Sequence, residues 1–422
     1  MKKLQLALLF PAIIAALAPP PASSGGKGDG FVPMFNGKDL TGWVNVNCAP
    51  ETFFVKDNMI ITTGKPTGYL RTERQYENFI AEFDWMHLPD KAGAVGNSGF
   101  FVWADPIPAV GTPYTRGIEV QVLVNLEYRD KTTNAITATS HGDLFSIWGA
   151  KCVPDRAHPL GWERCLPSEN HCKGANEWNH YRVVARDGVI KLEVNGKEVS
   201  GVSKCSPRKG YLALESEGSE CRFKNLKIKE LPTSNPKADE IADVAQGHKQ
   251  LFTGLDLRGW KASDDHKAHW KPADWRLVYD GQGKADLWTE KEYGDFELVV
   301  DWRLPAKANK KDSDHASGIL LRGTSKFSVV IGANPDIGGG TMIEGKSRPV
   351  FGPQGLLRPP GQWNRSLIRI KGDRVTIYLK GLKVEDNVQL PGIAARGPIG
   401  LQHLGQPVEF GNLFIRELAK GE

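Results

Sequence analysis

The second half of this chain contains no cysteine: all six, at positions 48, 152, 165, 172, 205 and 221, precede residue 222. None of their spacings is the tight Cys-x₂₋₄-Cys knuckle of a structural zinc site, so no such site is expected. The basic residues form no patch. The 54 lysines and arginines are scattered and the net charge is only +5, which argues against a nucleic-acid surface. No long segment in the body of the chain repeats its apolar residues every 3.6 positions, which excludes a helical core. Beyond the N-terminus no apolar run is long enough to span a bilayer. What the chain has in quantity is Gly and Pro, 46 and 27 of 422 residues, and that balance favours a turn-rich, all-β protein.

The N-terminus reads as a targeting segment. Lys2 and Lys3 precede an apolar run from Leu4 to Ala18, followed by "PPPASSGGKG". The run is about 15 residues long and contains Pro11, which makes it short for a membrane span. Pro19 stands behind the "ALA" at 16–18 and hinders cleavage there, so cleavage after "ASS" is expected and residues 1–24 are read as a signal peptide. The mature protein is expected to be periplasmic or secreted, without a membrane anchor. Six cysteines fit an oxidising compartment, as disulfides or as free thiols. At least one disulfide is expected in the first half, although sequence does not choose among the fifteen pairings.

The chain is written twice. "MFNGKDLTGW" (34–43) returns as "LFTGLDLRGW" (251–260), and "YLRTERQYENFIAEFDW" (69–85) as "DLWTEKEYGDFELVVDW" (286–302), both at an offset of 217. "NSGFFV" (97–102) matches "ASGILL" (316–321) at offset 219. "EWNHYRVVARDGVIKLEVNGK" (177–197) matches "QWNRSLIRIKGDRVTIYLKGL" (362–382) at offset 185. "KGYLALESEGSECRFKNLKIKEL" (209–231) matches "RGPIGLQHLGQPVEFGNLFIREL" (396–418) at offset 187. One domain is therefore expected over 31–231 and again over 248–418, joined by the polar linker 232–247. The fall from 219 to 185 makes the first copy 34 residues longer between the Ser-Gly and Trp-Asn motifs. Loops that long are usually functional. This one holds "SHGDLFSIWGAKC" and three of the cysteines, so it reads as tethered.

Each copy reads as short strands. In "FIAEFDW", Phe79, Ala81, Phe83 and Trp85 alternate onto one face. Asp187-Gly188 and Asn195-Gly196 mark two tight hairpins, matched by Gly372-Asp373 and Lys380-Gly381. A β-sandwich follows. One strand carries a puzzle. "GIEVQVLVN" (117–125) puts Glu119 and Gln121 on the face opposite Ile118, Val120, Val122 and Val124. Its counterpart "KFSVVIGAN" (326–334) has Ser328 and Val330 there. A polar pair on an inward face is costly without partners, so it points to a ligand. On that reading the second copy kept the sandwich and lost the site.

The motifs "LFxGxDLxGW", "YxxF" before a strand, "SG" before an apolar strand, "WN" and the closing "FxNLxIxEL" resemble the 3-keto-disaccharide hydrolase domain family, once called domain of unknown function 1080. The resemblance covers both halves. It implies the concanavalin A-like lectin/glucanase jelly roll and cleavage of glycosidic bonds in sugars oxidised at C3. The ketone acidifies the C2 proton, a base removes it, the C1–O bond leaves and water adds back. Such a site needs a base near C2, donors on the C3 oxygen and an acid near the leaving oxygen. No cofactor is implied, and the partner implied is a carbohydrate. A non-catalytic, lectin-like tandem module is the competing reading.

His141, at the start of the long segment, is the expected base, with Asp143 orienting it and Glu119 as the alternative base. Gln121, Arg71, Arg116, Trp148 and Trp103 are the expected substrate contacts. The tryptophan pairs Trp43/Trp260, Trp85/Trp302 and Trp178/Trp363 are expected in the cores, while Trp103, Trp148 and Trp162 have no counterpart and are candidate sugar platforms. Asp84, which recurs as Asp301, and His180 are read as structural.

Overall fold

A computed structural model describes residues 29–306, 316–332, 342–344, 356–419 and 421–422. The signal segment 1–24 lies outside the described residues. Residues 32–230 build two facing antiparallel sheets, of nine and seven strands. The larger runs Lys151–Pro154, Lys197–Ser206, Val189–Val194, Asn179–Arg186, Phe79–Leu88, Glu220–Glu230, Met59–Thr62 and Phe53–Lys56, with Val32–Pro33 also paired to Glu220–Glu230. The smaller runs Arg164–Cys165, Leu144–Ile147, Gly117–Val124, Gly96–Ala104, Tyr211–Ser216, Gly68–Thr72 and Trp43–Val46. The described residues of 249–417 repeat the plan with sheets of eight and five strands. Both halves are sandwiches of the concanavalin A-like jelly-roll class.

Period-2 alternation builds each core. Phe79, Ala81, Phe83 and Trp85 face inward from one sheet and meet Ile118, Val120, Val122 and Phe100 from the other, all 0–1% exposed. The Phe83 and Phe100 rings are 4.9 Å apart between centroids. Burying each such side chain contributes about 1.5–3 kcal/mol. Trp43 and Trp260 make the same bond in the two halves, each indole donating to a carbonyl nine residues back at 2.9 Å. At the hairpins both turn residues have positive φ, 52° and 75° at Asp187-Gly188 and 49° and 87° at Asn195-Gly196. That geometry matches the twist of the flanking strands.

Two expectations are corrected here. All six cysteines are free. Cys48, Cys165 and Cys221 are fully buried and Cys152 and Cys205 nearly so, all five packed as small apolar side chains in the first core. The long segment is tethered by strand pairing instead: Leu144–Ile147 pairs with Gly117–Val124, and Lys151–Pro154 with Lys197–Ser206. Trp178 is only half-buried, unlike its counterpart Trp363, and the Lys224 ammonium sits 3.8 Å from its ring centroid.

The two halves pack face to face. Val46, Tyr69, Phe101 and Ala213, on the outer side of the seven-stranded sheet, form one buried cluster with Val299 and Phe414 of the second half. The second half therefore covers part of that sheet's outer face.

Candidate functional site

Gly96–Ala104, Gly117–Val124 and Tyr211–Ser216 are neighbours in the seven-stranded sheet, and their register sets the site. Phe101 is opposite Glu119, Gly99 is opposite Gln121, and Leu214 is opposite Phe100. Glu119, Gln121, Gly99 and Glu215 thus share the outer face. Gly99 has no side chain, and both acids fill the space above it: a Cβ there would stand 3.0 Å from Glu119 Oε1 and 3.0 Å from Glu215 Oε2. Glu217, just beyond the strand end, completes an acidic cluster.

A hydrogen-bond chain runs along one side of this cluster. The Thr139 hydroxyl donates to Asp143 Oδ1 at 2.6 Å, and Arg164 Nε donates to Asp143 Oδ2 at 2.7 Å. Arg164 Nη2 donates to Gln121 Oε1 at 3.2 Å, and Gln121 Nε2 donates to Asn97 Oδ1 at 2.9 Å. Asn97 Nδ2 and the Tyr114 hydroxyl then donate to the two oxygens of Glu217, each at 2.6 Å. The Trp148 indole, about half exposed, stacks on the Tyr114 ring with centroids 6.2 Å apart.

All three acids are raised above the usual carboxylate range. Burial, then the Glu217 charge and that of Asp143, raise Glu119 to about 8 against the partial relief of Arg164. Burial and its two acidic neighbours raise Glu215, whose Oε2 is buried without a hydrogen-bond partner. Burial, and the charge of Asp274 in the second half, raise Glu217 also, while Tyr114 and Asn97 pull it back toward ionisation. A group near 8 beside a better-solvated, hydrogen-bonded acid is the pattern of an acid–base site.

Gln121, Asn97 and Arg164 also wall a cleft of about 460 Å³ whose far side carries Tyr128, Leu160 and Trp162. Trp162 is half exposed and stacked on His158 at 4.7 Å.

The structure places the expected residues unevenly. Glu119 and Gln121 lie together on the outer face, with Trp148 above Tyr114. His141 is not joined to them. Its backbone N–H donates to Thr139 Oγ1 at 3.2 Å, and its Nδ1 is buried without a partner. Asp143 does not orient His141, because both its oxygens are taken by Thr139 and Arg164. Trp103 is fully buried, its indole donating to Glu77 O at 2.8 Å, so it offers no face to a sugar. Arg71 is buried over the Tyr211 ring and holds Pro106 O at 3.1 Å. It lines a separate 280 Å³ recess with Asp243 and His248. Arg116 pairs with Asp105 at 2.7 and 2.9 Å and closes the base of the loop that carries Tyr114.

Glu215, Glu217, Asn97, Tyr114 and Arg164 were not anticipated. A signal for three of them stood in the repeat: at the established offsets Glu215 becomes Gln402, Glu217 becomes Leu404 and Asn97 becomes Ala316. The second half keeps the same strand register, with Ser328 opposite Leu320 and Val330 opposite Gly318. There Ser328 Oγ would stand 2.0 Å from a Cβ on Gly318, and Gln402 Oε1 2.6 Å from it. The same backbone holds neutral groups in place of the acids.

The fold and site define a tandem β-sandwich protein with, among the described residues, a buried carboxyl cluster on one sheet of the first sandwich. The model of the 3-keto-alpha-glucoside-1,2-lyase-like domain matches residues 30–229 and again 247–416, and the chain belongs to that family. Membership ties the chain to carbohydrate. Among solved structures, a candidate glycosyl hydrolase from Parabacteroides distasonis is 23% identical over 48% of this chain and 94% of its own, with a TM-score of 0.37. A second from the same organism is 25% identical over 41% and 84%, at 0.34. Carbohydrate binding module CBM66 from Bacillus subtilis is 10% identical over 45% and 96%, at 0.32. No curated protein sequence matches.

Proposed function

We propose that this protein is exported and cleaves the glycosidic bond of 3-keto-glycosides on the outer face of the first sandwich's seven-stranded sheet. One observation carries the reading: Glu119 and Glu215 stand at sheet positions where the second repeat, in the same register, has Ser328 and Gln402, and Glu217 beyond the strand end aligns with Leu404. A fold alone does not retain buried, mutually repelling acids in one copy and discard them in the other. Export rests on the Lys2–Lys3 and Leu4–Ala18 pattern alone.

Glu119 takes the role of base. A carboxyl titrating near 8 is a strong enough base for a proton already acidified by the C3 ketone, and ionised often enough near neutrality to act. The C2–H bond breaks, its proton goes to Glu119 and its electron pair to the C3 oxygen. The enolate then expels the C1 substituent, which takes up a proton, and water adds across C1 and C2. Trp148 and Trp162 supply aromatic faces at the two ends of the site.

The test is incubation of the purified protein with matched 3-keto and unoxidised disaccharides. Release of monosaccharide from the 3-keto series only, lost in Glu119→Gln, is the expected result. The exposed Trp148 and Trp162 also suit a binding module without chemistry. Saturable binding by calorimetry with no release from any sugar would favour that reading.

A further inference from the structure

The loop from Asp105 to Arg116 connects two strands of the first sandwich and delivers Tyr114 to Glu217. Its base is closed within the first half by the Arg116–Asp105 pair. Its tip is held by the second half. Gly111 N–H donates to Asp301 Oδ2 at 2.8 Å, and Arg365 Nη2 donates to Pro108 O at 2.8 Å. Asn412 Nδ2 donates to Thr112 O at 2.9 Å and Ala109 O at 3.1 Å. The Trp363 side chain lies so close over Gly111 that a Cβ there would stand 2.3 Å from its ring.

These four residues have counterparts in the first half at the repeat offsets: Asp84, Trp178, His180 and Asn225. The counterparts keep the internal bonds. His180 Nδ1 is 2.7 Å from Asp84 Oδ1, and Asn225 Nδ2 donates to Asp84 Oδ2 at 2.6 Å. There the group faces an open surface recess. In the second half the same group is closed over a loop: Asp301 is fully buried and Asn412 1% exposed. Asp301 is paired with Arg365 at 2.6 Å and also accepts from Asn412 at 2.7 Å, so the buried charge is satisfied. A repeat that has lost its own acids has kept and buried this set.

We infer that the second sandwich is a positioning domain for the site in the first, and that Asp301, Arg365, Asn412 and Trp363 grip the Pro108–Thr112 tip so that Tyr114 stays on Glu217. The inference deepens the proposed function by giving the second repeat a part in that site, but the contact it concerns exists without any substrate. Asn412 and Gly111 are positioning residues: neither touches the carboxyl cluster.

The test reads Glu217 directly. Carbon-13 labelling of glutamate side chains, with Glu217→Gln to assign the signal, gives its titration midpoint in the full-length protein. The Tyr114 hydroxyl favours ionised Glu217, so Tyr114→Phe is expected to raise that midpoint by at least half a pH unit. Asn412→Ala and Gly111→Ala, which keep the tyrosine itself but release the loop that holds it, are expected to raise it as well, with near-native circular dichroism. Gly111→Ala sets a methyl against the Trp363 ring at a left-handed backbone position, so it pries the tip away without touching either core and serves where Asn412→Ala fails to fold. A midpoint unmoved by Gly111→Ala and by folded Asn412→Ala, while Tyr114→Phe moves it, would overturn the inference. So would a midpoint that Tyr114→Phe leaves in place. On a 3-keto substrate the two positioning variants are expected to lose at least tenfold in kcat with KM within threefold of the parent. If the parent cleaves no sugar, the proposed function fails while the titration still decides the grip.

Discussion

Glu119 and Glu215 come from strands that are not neighbours, yet each sets a carboxyl oxygen 3.0 Å from the same point above Gly99 on the strand between them. The absent side chain is what lets two buried acids face each other. Gly99 has no positive φ, so alanine there adds no backbone strain, and its methyl pushes only on the two carboxyls. Gly99→Ala is therefore expected to fold with a melting temperature within a few degrees of the parent. Its turnover on a 3-keto-glycoside is expected to fall at least tenfold. Parent-like turnover would show that the chemistry does not pass between these two residues.

The pH dependence has a definite sign. Glu119 is raised from 4.5 to about 8, so the folded state holds its proton where the unfolded chain has released it. This contribution is complete below about pH 4.5 and is lost as pH rises toward 8. Activity runs the other way, because the base is the ionised form. Thermal melts between pH 5 and 8.5 are expected to fall more steeply for the parent than for Glu119→Gln, while parent turnover rises to a plateau above pH 8. Parallel melting curves for the two proteins would contradict the buried acid.

Arg164 is the hinge of the polar chain. It pairs with fully buried Asp143, holds Gln121 and lies 4.0 Å from the centre of the Phe145 ring. Arg164→Met leaves a buried charge without its cation, which typically costs about 3–5 kcal/mol. A double change, Arg164→Met with Asp143→Asn, is expected to recover more than half of that loss in urea denaturation. Full additivity of the two single changes would show that the pair is not coupled.

How much of this was legible in the sequence depends on what the two copies share. Trp43/Trp260 and Trp85/Trp302 recur because both cores need them, so the sandwiches could be read from the repeat alone. Glu119 and Gln121 stood out because one strand alternates cleanly. Glu215 and Glu217 lie in "LALESEG", where serine and glycine hide the face preference, and only comparison with "IGLQHLG" (399–405) marks them. Tyr114 was not legible: its loop has no period, and its place depends on Asp301 and Asn412, some 190 and 300 residues away. The cysteines misled for a physical reason. A buried thiol packs like a small apolar group, and composition does not separate that use from a disulfide.

Trp148 carries the last prediction. It is 52% exposed and has φ of 49°, a left-handed conformation that a bulky residue adopts only at a cost of about 1–3 kcal/mol. It belongs to neither core, and among the described residues its ring partner is Tyr114. A strained, exposed indole beside a carboxyl cluster suits a surface kept for a ligand. Trp148→Asn relieves the strain, because asparagine tolerates positive φ, and removes the aromatic face. The variant is expected to melt no lower than the parent, while KM for a 3-keto disaccharide rises about 3–10-fold, the scale of a lost ring contact worth about 0.5–1.5 kcal/mol. With kcat nearly unchanged, that split marks binding rather than chemistry. A lower melting temperature with unchanged KM would make Trp148 a packing residue and remove it from the site.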